Sequence, residues 1–290
     1  IGEAAFYLCT SLTSIDIPDS VTSIGGGLFA NCSSLSSITI PESVTSIGED
    51  AFQACTSLTS INIPDSVTSI KRGAFDSCAS LTNISVGDSL TSIGEGAFQG
   101  TNISYDYTAD NLNYLISRSG QSAYLIDGAS ASGAVNIPNQ VNTAYVKLIR
   151  DGAFASCTSL TSITIPDSVT SIGEDAFYDC TSLTSITIGN GVTSIAGGAF
   201  YGCSSLTSIT IPDSVTSIGD GAFAGCTNVP YIFIPNGLTS IGDGAFESCT
   251  SLTSMTIQIN SVTTVGARAF YNCSNLTNIT FISDLTSIGD

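Results

Sequence analysis

The chain has 290 residues with 6 basic and 24 acidic side chains, a formal charge of -18, 42% hydrophobic residues, 80 Ser or Thr, no His and no Trp. That much apolar content excludes a disordered chain, and the scattered cations Lys71, Arg72, Arg118, Lys147, Arg150 and Arg268 exclude the clustered basic face that nucleic acid requires and disfavour an anionic membrane. No apolar run approaches the roughly 20 residues of a membrane span, so no membrane insertion is expected within this segment.

A period runs through the chain. Phe recurs at 6, 29, 52, 75 and 98, and again at 154, 177, 200, 223 and 246, each step 23 residues, with Phe270 one residue late. Cys stands three residues after nearly every Phe, and the ten cysteines so placed (Cys9 to Cys273) are all the chain has. One complete unit, Leu160 to Ser182, follows the pattern Leu-x-x-Ile-x-Ile-Pro-Asp-Ser-Val-x-x-Ile-Gly-x-x-Ala-Phe-x-x-Cys.

Each part of the unit predicts an element. Thr161 to Ile165 alternates polar and apolar residues and is rich in β-branched types, which predicts a short strand. Ile-Pro-Asp-Ser ends it, because Pro has no donor for a continuing ladder and Asp or Ser favours a turn. Val169 to Ile172 predicts a second short extended piece, Gly173 a turn, and Ala176-Phe177-x-x-Cys180 a short helical turn with Phe and Cys facing inward. A unit this small cannot bury its own apolar residues, but stacked copies can, so the expectation is a mostly β solenoid of about eleven coils.

The period breaks once. Phe98 to Phe154 spans 56 residues, two periods plus ten. Asn111 to Ile126 holds two apolar-aromatic runs around a polar, Gly-containing turn, which predicts a β-hairpin. The chain is therefore divided into repeats over 1–101, an irregular hairpin-bearing insertion over 102–134, and repeats over 135–290, all within one domain. Its first and last residues fall inside a unit, which suggests a piece of a longer array, since arrays end in atypical polar caps.

Leu-x-x-Ile-x-Ile matches the core of a leucine-rich repeat, and the extension Pro-x-Ser-Val-x-x-Ile-Gly-x-x-Ala-Phe-x-x-Cys resembles the BspA-like, or treponemal-type, class. The resemblance covers everything except about residues 102–134. One departure from ordinary leucine-rich repeats is that Ser43, Ser66, Ser168 and Ser214 stand where an Asn ladder would follow the strand. The resemblance implies a secreted or cell-surface location and a role in adhesion to host matrix proteins or other cells. It brings no catalytic residues.

Candidate sites follow from the columns. The cysteines lie one per coil with parallel side chains, poor geometry for disulfides, and zinc is disfavoured without His or a close Cys pair; buried free thiols are expected. Carboxylates repeat after the strand (Asp19, Glu42, Asp65, Asp88, Asp167, Asp213) and after the Ile-Gly turn (Glu49, Glu95, Glu174, Asp220, Asp243). Such columns are either calcium-bridged or ordinary turn residues facing water, the latter being expected, with no metal and no cofactor. No glycosidase-like pair of opposed carboxylates is apparent, and a Ser or Cys nucleophile would lack its usual His base; the chain is not expected to be an enzyme.

Outward strand positions form a ladder made mostly of hydroxyls: Ser14 and Asp16, Ser37 and Thr39, Ser60 and Asn62, Asn83 and Ser85, and after the hairpin Ser162 and Thr164, Ser185 and Thr187, Ser208 and Thr210. Such a ladder also resembles ice-facing arrays, which a curved leucine-rich strand face argues against. One coil breaks the ladder, placing Tyr231 and Phe233 where the others carry Ser and Thr. Exposed aromatics among polar neighbours are typical contact anchors. Tyr114 and Tyr124 of the hairpin, with Tyr105 and Tyr107, are a second candidate, set against simple burial in the insertion's own core. The expected function is an extracellular binding or adhesion module for a protein or glycan ligand. The alternative is a spacer, or an array that self-associates end to end.

Overall fold

The computed structural model describes residues 2–257, 262–281 and 287–289. The chain forms two compact units: Ile1–Tyr107 with Tyr114–Ala123, and Thr108–Asn113 with Tyr124–Asp290. Each is a β-solenoid with one Phe per coil, so the two carry about eleven coils between them.

Two parallel ladders build each unit. The Ser-Ile ladder of the first joins Ser23–Ile24, Ser46–Ile47, Ser69–Ile70 and Ser92–Ile93, Ser on Ser and Ile on Ile. In the second it runs from Leu148 and Ile149 through Ser171–Ile172, Ser194–Ile195, Ser217–Ile218 and Ser240–Ile241 to Thr264–Val265 and Ser287–Ile288. The Ile-x-Ile ladder pairs Ser60–Asn62 with Asn83–Ser85 in the first unit. In the second unit it pairs Gly133–Asn136, Leu160–Thr164 and Ser185–Thr187, and then Ile209–Thr210, Tyr231–Ile234, Ser254–Ile257 and Asn278–Phe281. Like pairs with like because the sequence period equals one coil; a register slip would turn the buried Ile outward.

The interior is a stack of identical residues. Phe rings lie face over face, 5.2 Å apart and 1° from parallel for Phe52–Phe75 and 4.9 Å for Phe154–Phe177. The Leu, Ile, Val, Ala and Cys columns around them are buried, each larger side chain contributing about 1.5–3 kcal/mol of burial. All ten cysteines are free thiols. Their role is more specific than filling: the Cys55 thiol donates to Phe29 O at 3.2 Å, and that same carbonyl accepts the Cys32 N–H at 3.0 Å. Burial pushes the Cys203 and Cys249 thiols up to about 12. The serine that replaces the Asn ladder does related work, with Ser66 Oγ donating to Val44 O at 2.6 Å and Ser214 Oγ to Val192 O at 2.6 Å.

The short helical turn expected at Ala-Phe-x-x-Cys is not formed; no helix occurs among the described residues. The hydrogen bonds give the reason. Phe29 N–H donates to Ala51 O and Asn31 N–H to Gln53 O, both on the next coil, whereas Ala30 N–H returns to Gly27 O and Cys32 N–H to Phe29 O. Alternate donors are thus taken by the neighbouring coil, leaving no four-residue helical ladder. Two residues per coil, four apart, also take left-handed backbone: Gly27 and Asn31, Asp50 and Ala54, Gly73 and Ser77. An α-helix tolerates neither.

The hairpin expected in the insertion is present as strands Leu112–Ile116 and Ser122–Asp127, closed by Ser117 N–H on Ser122 O at 2.8 Å. A further short strand, Tyr107–Ala109, precedes it.

Candidate functional site

Hydroxyls dominate the surface, and they divide into two groups. Threonines beside the ladders are committed to holding coils together. Thr184 Oγ1 donates to Thr161 O at 2.9 Å and Thr207 Oγ1 to Thr184 O at 3.1 Å. A second spine runs Thr170, Thr193, Thr216 and Thr239, each on the carbonyl of the coil before. The strand-face group, Ser162, Thr164, Ser185, Thr187, Ser208 and Thr210, makes no such bond among the described residues, and all but the half-buried Ser162 are exposed. Their orientation follows from strand alternation: with Ile163, Ile186 and Ile209 packed inward, both neighbours must point out.

Tyr231 and Phe233 occupy that same outward position. Ile232 between them and Ile234 after them are buried, while Tyr231 is 61% and Phe233 46% exposed. The two side chains stand about 7 Å apart along the strand. Phe233 pairs in register with Thr210, and Tyr231 with Ser254, so small side chains flank the rings. Among the described residues no aromatic ring stacks on either.

The hairpin tyrosines are placed differently, and this corrects the second candidate surface. Tyr114 is 1% exposed and Tyr124 fully buried, so neither offers a face to a ligand. In Ser122–Asp127 both alternating faces are covered, the first five residues all being buried, so that alternation selects no outward aromatic. Tyr107 packs on Tyr114 with centroids 6.1 Å apart, and Tyr105 and Tyr107 are half-buried.

The hairpin's turn instead carries a polar contact in the first unit. Arg118 donates to Asn62 Oδ1 and pairs with Asp65 at 3.0 Å. Val86 bridges Ser117, and Arg118 N–H donates to Val86 O. Burial opposes the charged form of Asp88, but the hydroxyls of Ser117, Ser119 and Ser122 and the Arg118 charge outweigh it and hold this carboxyl below its ordinary value.

The carboxylate columns serve turns. Asp151 Oδ1 accepts Glu174 N–H, Asp167 Oδ1 accepts Asn190 N–H, and Asp220 Oδ1 accepts Asp243 N–H, each one coil on. Burial pushes Asp151 up to about 6, against the lowering effect of that backbone bond. No group of three or more acidic or Cys side chains placed to hold a metal occurs among the described residues. A groove of about 680 Å³ follows the Ser-Ile-Gly side of the second unit, lined by Ser217, Gly219, Ser240 and Gly242 among others. Its floor has a packing origin: a Cβ on Gly219 would lie 2.5 Å from Gly197 N of the preceding coil.

One exposed feature escapes the column arithmetic used for the sequence. Tyr178 and Tyr201, each directly after the core Phe, stack at 5.1 Å and 8° on the surface. A signal for it stands in the sequence, since Tyr also follows Phe at Tyr7 and Tyr271. Each ring lends one face to the other, while Tyr178 stays 36% and Tyr201 42% exposed.

A family model described as the BspA type leucine rich repeat region matches the chain in six copies, over residues 1–121, 147–261 and 193–290. Among solved structures, the Treponema pallidum leucine rich repeat protein is similar at 30% identity and a TM-score of 0.59, over 63% of this chain and 85% of that one. A leucine rich cell surface protein from Faecalibacterium prausnitzii is 30% identical over 97% of this chain and 82% of its own, with a TM-score of 0.47. A leucine-rich repeat protein from Bacteroides ovatus is 28% identical over 96% and 75%, also with a TM-score of 0.47. No curated protein matches the chain.

Proposed function

The chain belongs to the BspA-type leucine-rich repeat family, and on that footing we propose that it is a secreted or surface-displayed binding module whose working surface is the strand face around Tyr231 and Phe233. The family supports the location, and one observation carries the site: two large aromatic side chains stand 61% and 46% exposed at outward positions that the neighbouring coils fill with Ser208, Thr210 and Ser254. Solvating rings of that size has a cost that a ligand would relieve, and desolvated Tyr and Phe dominate contact energies when buried at an interface. The reading has no catalytic step, and a chain without His lacks the usual base for a nucleophilic Ser or Cys.

The test is saturable binding of the purified chain to immobilised extracellular-matrix proteins, mucins and glycans, with Tyr231→Ala/Phe233→Ala alongside. Removing both rings is expected to weaken binding by about 30-fold, the equivalent of one hot spot of ~2 kcal/mol. Saturable binding that the double variant retains in full sinks the assignment. No binding to any surface would favour a spacer, and light scattering that grows with concentration would favour end-to-end assembly.

A further inference from the structure

Resting on the reading that this strand face is the working surface, we infer that its ligand is a neutral, extended polysaccharide lying across the coils of the second unit, with the sugar unit over the Tyr231–Ile234 strand held between Tyr231 and Phe233. Four observations converge on that chemistry.

The first is charge. The chain carries -18 overall, yet the outward strand positions Ser162, Thr164, Ser185, Thr187, Ser208, Thr210, Tyr231, Phe233 and Ser254 include no charged side chain. A sulfated, phosphorylated or uronate polymer meets a net repulsive protein and no cation on the face. A polycation would be drawn to the carboxylates of the turns, such as Asp167 and Asp220, and not to this face. What fits is uncharged.

The second is hydrogen-bonding capacity. Each free Ser or Thr hydroxyl is one donor and two acceptors that rotate to suit a partner, the same versatility that a sugar hydroxyl presents. The adjacent threonine spines have given this capacity to coil-to-coil bonds; the strand-face hydroxyls have not.

The third is the state of the rings. The core Phe column and the Tyr178–Tyr201 pair are stacked on themselves. Tyr231 and Phe233 sit beside Ser254 and Thr210, and among the described residues no aromatic ring stacks on either. An aromatic face packs well against the aliphatic C–H face of a pyranose, which is apolar although its rim is hydroxylated.

The fourth is the repeat. Parallel strands lie about 4.8 Å apart, close to the advance of one pyranose unit along an extended polysaccharide. A glycan following the ladder therefore meets the same pair of hydroxyls coil after coil. An added peptide strand has no such place, because Tyr231–Ile234 is already paired on both sides, with Ile209–Thr210 and with Ser254–Ile257, and strand addition needs an open edge.

The experiment is affinity electrophoresis of the full chain through native gels containing soluble β-1,3/1,4-glucan, xylan or galactomannan. A polygalacturonate gel is the anionic control, and wells coated with collagen and mucin run in parallel. At least one neutral polysaccharide should retard the chain, and polygalacturonate should not. Tyr231→Ala/Phe233→Ala should weaken the retardation at least 10-fold. Thr187→Val/Thr210→Val, which removes two hydroxyls while keeping shape and β-propensity, should weaken it about 3- to 10-fold with the melting temperature unchanged; it decides the matter alone if the alanine variant does not fold. A folded chain that passes every neutral gel unretarded overturns the polysaccharide. If collagen or mucin binding is then lost in Tyr231→Ala/Phe233→Ala, the face stands with a protein ligand. If that binding survives, the face falls as well.

Discussion

The two units are written in nearly the same 23-residue sentence, yet they present their strand faces in different chemical states. In the first unit the face carries Asp16, Asn62 and Asn83 among its serines, and Arg118 from the hairpin turn reaches onto it to bind Asn62 and Asp65. In the second, among the described residues, the outward positions from Ser162 to Ser254 are uncharged, their hydroxyls hold no coil-to-coil bond, and two aromatics stand exposed. The buried columns barely differ between them. The difference teaches where a repeat protein is free to specialise: columns facing inward must match the coil above and below, whereas an outward position has no such partner to satisfy.

The largest expected effect tests whether the units are separate in stability as well as in chemistry. Phe75→Ala removes a ring that stacks at 5.2 Å on Phe52 and 5.8 Å on Phe98, and should destabilise by about 3–5 kcal/mol. Hydrogen exchange should then rise over the first unit, residues 2–107 and 114–123, more than over 135–257. Phe177→Ala should reverse the pattern. Equal loss of protection everywhere in both variants would show that the chain unfolds as one cooperative body and that the division is only geometric.

Next in size is a pH effect belonging to the second unit. Asp151, pushed up to about 6 by burial, binds its proton more tightly folded than unfolded, where a carboxyl titrates near 3.9. The folded state therefore holds the extra proton between about pH 4 and 6, so this group's contribution falls as pH rises through that window and stays low above it. Asp151→Asn removes the charge and keeps an oxygen for Glu174 N–H. At pH 7.5 it should stabilise by on the order of 1–2 kcal/mol, with the gain gone at pH 3.5. Thermal melts at the two pH values check this, and a pH-independent gain would mean that packing, not charge, is responsible.

Much of this was legible in the sequence because a solenoid writes its contacts at a fixed period. Phe spacing gave the coil count, and Ile-x-Ile and Val-x-x-Ile gave the two ladders in register. The absence of the helical turn is not legible there: Ala-Phe-x-x-Cys has a helix-compatible spacing, but the destination of each N–H depends on the next coil, and pattern within one unit does not reveal it. The left-handed positions were half visible, since ten of the twenty-two are Gly, but Asp, Asn, Ser and Ala fill most others. Tyr231 and Phe233 were legible as outward because they replace Ser and Thr in a known column. Tyr114 and Tyr124 were not, because the insertion has no period against which to assign inside and outside.

The left-handed positions also distinguish the units, and give a smaller effect. The first unit places Ala4, Leu8 and Ala54 there beside Asn31, Asp50 and Ser77, whereas the non-Gly residues at the coil positions of the second are Ser156, Asp175, Asp179, Ser248, Arg268 and Asn272, with no Ala or Leu. Asp and Asn tolerate that conformation through local hydrogen bonds, and Ala does not. Ala54 has φ of 55°, so Ala54→Gly should relieve strain and, after the entropy that Gly adds to the unfolded chain, stabilise by about 0.5–1 kcal/mol. A melt showing destabilisation would mean that the Ala54 methyl contributes more by packing than its backbone costs.

The smallest expected effect concerns the contact that separates the two faces most visibly. Arg118 and Asp65 form their pair with side chains 34% and 64% exposed, so water competes for both ions and the bond adds little to stability. Arg118→Ala should lower stability by no more than about 0.5 kcal/mol at low salt, and by less in 0.5 M NaCl, where such a pair is screened. What should change is the surface. Asn62 loses its Arg118 partner, and the Asn62 side-chain amide resonances should shift while the backbone amide resonances of Ser37 and Thr39 do not. In the Tyr231→Ala/Phe233→Ala background, which silences the second unit, the Arg118→Ala chain should still fail to bind that ligand, because an uncovered first-unit face without a Tyr-Phe pair has hydroxyls but no apolar platform. Binding gained by the first unit on Arg118→Ala alone would show that coverage, not the aromatic pair, is what distinguishes the two faces.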